Sequence, residues 1–197
     1  KKIEILTALL LTGLVFKEYQ ENFEISIKEL EKLAKSFFDK DGFPNTRNPN
    51  DLVFFVKYLI ICKECIKDAQ KYVPEFLDEI IFKSLNCLKY IKTPDNKIPL
   101  FNGGTERDFN ELKKFIDDLE KSNESKNKII GGIQKLKFKS SCIYFDMGEP
   151  PKKGFSKSYQ SGPLSFEYFL DEIKIVTNCG FGANISSKAE LLSRLTS

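Results

Sequence analysis

Apolar residues recur at three- and four-residue spacing through the first half of the chain and at every second position in the last third. This change of period separates helices from strands. Ile3, Leu6, Leu9, Leu10 and Leu14 share one side of a helix running to about Phe16. Ile27, Leu30, Leu33, Ala34 and Phe37 line a second, for which Ser26 and Glu29 have the spacing of a capping box. Leu52 to Ile66 has the wide apolar stripe of a well-buried helix, and Pro74 suits the first turn of a fourth reaching Ile91. Asp39 to Asn50 and Thr93 to Arg107 are dense in Asp, Asn, Gly or Pro and predict irregular loops. A short polar helix from about Asp108 to Glu120 and a charged linker, Lys121 to Lys128, follow.

Past the linker, Ile133, Lys135, Lys137 and Lys139 alternate with Gln134, Leu136 and Phe138, the pattern of a half-buried strand. Cys142 to Met147, Leu164 to Leu170 and Ile173 to Asn178 predict three more. Asp171-Glu172 closes a hairpin between the last two, without the glycine that tight turns favour. Helices first and strands later predict segregated domains, not alternating α/β units. The expected boundary lies near residue 125, with a helical domain over 1–125 and a β domain over 126–197.

Hydrophobic residues make up 41% of the 197, enough for a real core. The net charge of +3 is the difference between 31 basic and 28 acidic side chains spread along the chain, so no basic face suits nucleic acid. No apolar run reaches the roughly 18–20 residues of a membrane helix; Ile3 to Phe16 is broken by Glu4, Thr7, Thr12 and Gly13. The five cysteines are an odd, irregularly spaced set. Cys62 and Cys65 form a C-x-x-C inside an apolar helical run, with no second pair and no histidine anywhere, and read as small buried residues rather than zinc ligands. The chain lacks an initiator Met and any secretory segment, so the expectation is a stretch of a longer protein. A signal peptide upstream would place that protein in the periplasm or cell envelope, and its absence in the cytoplasm.

Several local patterns carry bland readings. Gly103-Gly104-Thr105 lacks the preceding strand and following Lys-Ser/Thr of a phosphate loop. Asp146 and Glu167 stand on neighbouring strands, but nothing in the sequence fixes the separation a glycosidase pair requires. Tyr144, Phe145, Phe166 and Tyr168 read as core or cross-strand pairs before sugar platforms.

Three segments carry a more specific signal. Tyr144-Phe-Asp-Met-Gly-Glu-Pro-Pro151, Gly162-Pro-Leu-Ser-Phe-Glu167 and Ile175-Val-Thr-Asn-Cys-Gly180 occur in that order. They resemble the opening strands of the C-terminal domain of the bacterial heparinase II/III-like family, closest to its alphaproteobacterial forms. In the helical half, Asp41-Gly-Phe-Pro-Asn-Thr-Arg-Asn-Pro49 resembles the family's Asp-Gly-Gly-His-x-x-Arg-Asn-Pro loop, and Pro99-Leu-Phe-Asn-Gly-Gly104 its Leu-Phe-Asn-Gly loop.

The resemblance implies a multi-domain α and β chain, the C-terminal part of an α/α toroid followed by the first strands of an antiparallel β-sandwich. It also implies a polysaccharide lyase that cleaves an acidic, uronic-acid glycan by β-elimination in the cleft between the two. The substrate carboxylate is neutralised, a base removes the proton beside it, and an acid protonates the leaving oxygen. Arg47 and Asn48 stand where the family's loop faces the cleft, and Asn102 is a further candidate of the same kind. A guanidinium and amides suit a uronate carboxylate. The plainer alternatives are that Asn48 caps the following helix and that Asn102 supplies a positive φ.

The chain departs from the family's pattern in two places. Asp51 and Leu52 stand where characterised lyases carry Tyr-His, and Phe43 or Pro44 replaces the loop histidine. The family's remaining histidines, including those that bind zinc in some members, belong to a sandwich segment after Ser197. No cofactor is therefore expected within this chain, and residues 1–197 alone are expected to be inactive. The alternative is a non-catalytic carbohydrate-binding or envelope-associated protein that kept the fold.

Overall fold

The computed structural model describes residues 1–108, 110–119, 129–157, 159, 162 and 164–195. Helices come first: α1 (Lys2–Val15), α2 (Glu21–Phe37), α3 (Pro49–Asp68), α4 (Glu75–Ile91) and the short α5 (Lys113–Asp117). A five-stranded antiparallel sheet follows, in the spatial order β1 (Ile129–Ile130), β2 (Ile133–Phe138), β3 (Ser141–Asp146), β4 (Phe166–Leu170), β5 (Ile173–Val176), and then α6 (Ser187–Leu195). No helix among the described residues is long and apolar enough to cross a membrane.

α1 turns into α2 through a 3-10 turn at Lys17–Tyr19, and the two pack together along Ile3, Leu6 and Leu10. Gly13 permits the close approach, since a Cβ there would strike the Phe23 backbone. The expected capping box is corrected: α2 begins five residues before Ser26, which lies buried inside the helix and gives its hydroxyl proton to the Phe23 carbonyl at 2.7 Å. The 3-10 turn delivers the chain already helical, so no side-chain cap is required. α3 is capped as its sequence suggests, with Pro49 at N1 and the Asn48 side chain accepting from Asn50 N at 2.9 Å.

The expected polar helix is reduced to a 3-10 turn, Asn110–Leu112, and the five residues of α5, which bury Leu112 and Ile116. So few apolar positions anchor only a short helix. The Lys121–Lys128 linker and the boundary near residue 125 lie outside the described residues. The pair Ile129–Ile130 before Gly131-Gly132, and α6, are elements the sequence reading did not anticipate.

Cys62, Cys87 and Cys142 are buried, and none of the five cysteines forms a disulfide. The sheet has two unlike faces. Ile133, Cys142, Tyr144 and Phe169 are buried on the face against the helices. Leu136, Phe138, Phe166, Leu170, Ile173 and Ile175 lie exposed, mostly on the opposite face.

Candidate functional site between the helices and the sheet

The connections α2–α3 and α4–α5 emerge at the same end of the helices, and the inner face of the sheet packs against them. The α2–α3 loop is rigid by construction. Phe38 and Pro44 pair as a bridge, and the Asp39 carboxylate accepts from Asp41 N at 2.9 Å and Phe43 N at 2.8 Å. Burial pushes the Asp39 carboxyl upward, against those backbone N–H groups, which pull it down. Phe43 is fully buried with its ring against Gly131.

Arg47 follows with φ 58°, a left-handed conformation that aims its side chain across to the sheet. Its Nε donates to Gly131 O at 3.2 Å, Nη1 donates to Glu149 O at 2.8 Å, and Nη2 is ion-paired with Asp146. The pair is buried, with side-chain exposures of 10% and 2%. Gly132 and Gly148 flank the guanidinium so closely that a Cβ on either would overlap it. Glycines at these positions are what the fork requires, which gives Asp146-Met-Gly148 a local physical sense.

A second carboxylate holds the second loop. Glu167 on β4 is fully buried, and its Oε1 accepts from Leu100 N (3.3 Å), Thr177 Oγ1 (3.2 Å) and Asn178 N (3.3 Å). Lys174 Nζ lies 3.6 Å from Oε2. Burial raises the Glu167 carboxyl above its ordinary range, while Lys174 and the N–H donors oppose the rise. Two residues after Leu100, Asn102 is buried with φ 53°, and among the described residues neither its Nδ2 nor Asn178 Nδ2 finds a hydrogen-bond partner. The loops also hold each other, because the Asn50 amide oxygen accepts from the Thr105 hydroxyl at 2.5 Å and its nitrogen donates to Thr105 O at 3.2 Å.

Two tyrosines complete the joint. Lys135 N donates to Tyr90 Oη at 2.9 Å, and Tyr144 Oη donates to Lys92 O at 2.6 Å.

An open cavity of about 500 Å³ lies between the α2–α3 loop and the sheet, lined by Asp39, Asn45, Arg47, Gly148, Glu149 and Lys152 among others. Its size is that of a small-ligand site. Tyr159 stands beside the Arg47–Asp146 pair. Burial and the Asp146 charge raise its phenol, and Arg47 opposes them.

The fold also places the chain among known structures. No family model and no curated protein matches the sequence. Among solved structures, heparinase III superposes with TM-score 0.78 at 13% identity, over 98% of this chain and 37% of that one. The fold is that of a heparinase III segment. The heparan sulfate lyase HepC from Pedobacter heparinus gives TM-score 0.77 at 16% identity, over 96% of this chain and 34% of its own. A further heparinase III, the BT4657 gene product, gives 0.75 at 14%, over 96% and 34%. The chain thus spans about a third of the length of the structures it matches, and carries both a helical and a β-sandwich part of them.

The three residues singled out from sequence fall into two groups. Arg47 and Asn48 share one loop, where Arg47 is committed to the sheet and Asn48 caps α3. Asn102 sits in the other loop, two residues after Leu100, whose N–H donates to Glu167. Asp51 accepts from Thr46 Oγ1 at 2.7 Å, and burial raises its carboxyl. In the sequence Asp146 and Glu167 belong to two of the strand motifs and stand as a glycosidase-like pair whose separation nothing fixes. The structure turns them to different loops, as the two carboxylates that fasten helices to sheet. The chain has no histidine, and among the described residues no three Cys, Asp or Glu side chains come together as a metal-holding group.

Proposed function

We propose that the polypeptide carrying this chain is a polysaccharide lyase that cleaves an acidic, uronic-acid glycan by β-elimination, in a cleft between an α/α toroid (1–125) and a β-sandwich starting at 126. The observation that carries this reading is the superposition of nearly the whole chain, helices and sheet together, on heparinase III and on a heparan sulfate lyase. The cavity between the Arg47 loop and the sheet supports it, because a glycan cleft at that joint would draw on loops from both parts.

Within this chain, the groups suited to the reaction are those that hold a carboxylate. Among the described residues the Asn102 amide nitrogen finds no acceptor, and we assign it the substrate-facing part. We assign Arg47 and Asn48 the task of fixing the loop that borders the cleft, since Arg47 spends its donors on Gly131, Glu149 and Asp146 and Asn48 caps α3. Neutralising the carboxylate would lower the barrier to removing the neighbouring proton. Base and acid are left to residues outside this chain.

One observation favours a second reading. Asp51 and Leu52 replace the tyrosine and histidine expected to move the protons, and Asp51 is tied to Thr46. A carbohydrate-binding or envelope-associated protein without turnover would keep the same fold. Incubating the whole polypeptide with uronic-acid polysaccharides and following ultraviolet absorbance of the unsaturated product separates the two. Rising absorbance supports the lyase. Retention on immobilised glycan with flat absorbance supports the binding protein.

A further inference from the structure

The cavity between the α2–α3 loop and the sheet has one wall built by the connection that follows β3. That connection crosses from the sheet to α2 and is pinned at two points. The Glu149 carbonyl accepts from Arg47 Nη1 at 2.8 Å, and the Phe155 ring meets Phe37 of α2 edge-on at 6.4 Å. Phe37 stacks in turn on Phe55 of α3 at 3.8 Å, and both pack against the helical core. Between the two anchors Pro150-Pro151 restricts the backbone, and Phe155 N donates to Lys152 O at 2.8 Å to close a turn. Glu149 and Lys152, one on each side of the prolines, have exposed side chains and line the cavity.

The charges of this lining do not suit an acidic group. Arg47 is ion-paired with Asp146 and gives its other donors to the backbone carbonyls of Gly131 and Glu149. Lys152 is matched by Glu149, which leaves the Asp39 carboxylate in excess. A uronate placed here would meet two carboxylates and a single uncommitted ammonium, and Coulomb repulsion opposes it. An uncharged pyranose meets no such opposition. Its hydroxyls both donate and accept, so one can give its proton to the Glu149 carboxylate and another accept from the Lys152 ammonium, each bond strengthened by the protein's charge. Its C–H faces match the apolar side of the lining, formed by Pro44, Pro150, Pro151 and Phe155.

We propose that this cavity is a subsite for an uncharged sugar unit, read by Glu149 and Lys152, and that the acidic units of the glycan are held elsewhere in the cleft. The inference rests on the glycan cleft of the proposed function, and it holds for the lyase and the binding protein alike.

Saturation-transfer NMR of methyl β-glucoside, methyl β-galactoside and N-acetylglucosamine on the whole polypeptide, with glucuronate as competitor, tests it. Saturable binding of at least one neutral probe is expected. Glu149→Gln and Lys152→Gln should each weaken it roughly tenfold, the effect of one lost charge-assisted hydrogen bond. Both side chains are exposed, so the two variants should melt as the wild type does. Glucuronate bound elsewhere in the cleft leaves the neutral probe in place, whereas displacement by an equal concentration of glucuronate shows that the cavity takes the acid and overturns the proposal. Absence of saturable binding by all three neutral probes, or equal affinity in wild type and both variants, overturns it as well. Failure of the lyase reading looks different: flat absorbance with uronic-acid polysaccharides, while neutral-probe binding and its loss in the two variants persist.

Discussion

Arg47 and Asp146, ninety-nine positions apart, form the buried ion pair that fastens the α2–α3 loop to the end of β3. Breaking a buried pair from one side strands the other charge, at about 3–5 kcal/mol. Arg47→Ala and Asp146→Asn should each destabilise the protein by about that much, and the double variant by clearly less than the sum. Denaturant melts of the four proteins check this. Strict additivity would show that the two side chains do not act as a pair. Arg47→Lys should not rescue, because an ammonium cannot serve Gly131, Glu149 and Asp146 at once.

Glu167 predicts a pH signature. Its folded-state carboxyl is raised above 4.5, so between 4.5 and that raised value the folded protein binds more protons than the unfolded one. Stability contributed by this group therefore falls as pH rises through the window and is recovered on acidification. Glu167→Gln keeps an acceptor for Leu100 N but removes the titration. The melting temperature of the variant minus that of wild type should increase from pH 4.5 toward 7, and a constant difference would dismiss the assignment.

The glycines around Arg47 predict a graded series. Gly132→Ala meets both a φ of +77° and the guanidinium, and should cost about 1–3 kcal/mol as a strained backbone position. A Cβ at Gly154 meets nothing within 4 Å among the described residues, so Gly154→Ala should be near neutral. Chemical denaturation of the two variants, compared side by side, gives the order.

The outer face of the sheet predicts the behaviour of residues 1–197 expressed alone. Phe138 is 73% and Ile173 67% exposed. Apolar patches of this kind mark a surface that another layer covers. The isolated segment should bind a hydrophobic dye and scatter light at concentrations where the whole polypeptide stays clear. Phe138→Ser with Ile173→Thr should reduce both effects; an unaltered signal would place the sticky surface elsewhere.

Much of this architecture was legible in the chain. The switch from a period of 3.6 to one of 2 foretold helices followed by an antiparallel sheet, and Ile3, Leu30, Leu52 and Leu88 are core residues as their spacing requires. Asn48-Pro49 announced its helix start, and Asp171-Glu172 makes its turn without glycine by placing Asp171 at φ 51°. α6 also left a signal, since Ser186 accepts from Ala189 N at 3.1 Å as an N-cap would. Such features are local. They depend on residues a few positions apart, which the sequence displays directly.

The uses of the polar residues were settled by the tertiary structure. Arg47 looks like a ligand for a carboxylate in either case, and only the packing of the loop on β3 decides that the carboxylate is Asp146. Lysines alternating with Gln134, Leu136 and Phe138 along β2 read as a half-buried strand. In the fold Lys135 and Lys137 turn toward the helices, while Leu136 and Phe138 face outward. A side-chain period of two fixes which residues share a face but not which face is covered. That choice belongs to whatever packs against the sheet, and here it is the end of α4 and its loops, brought from more than forty positions away.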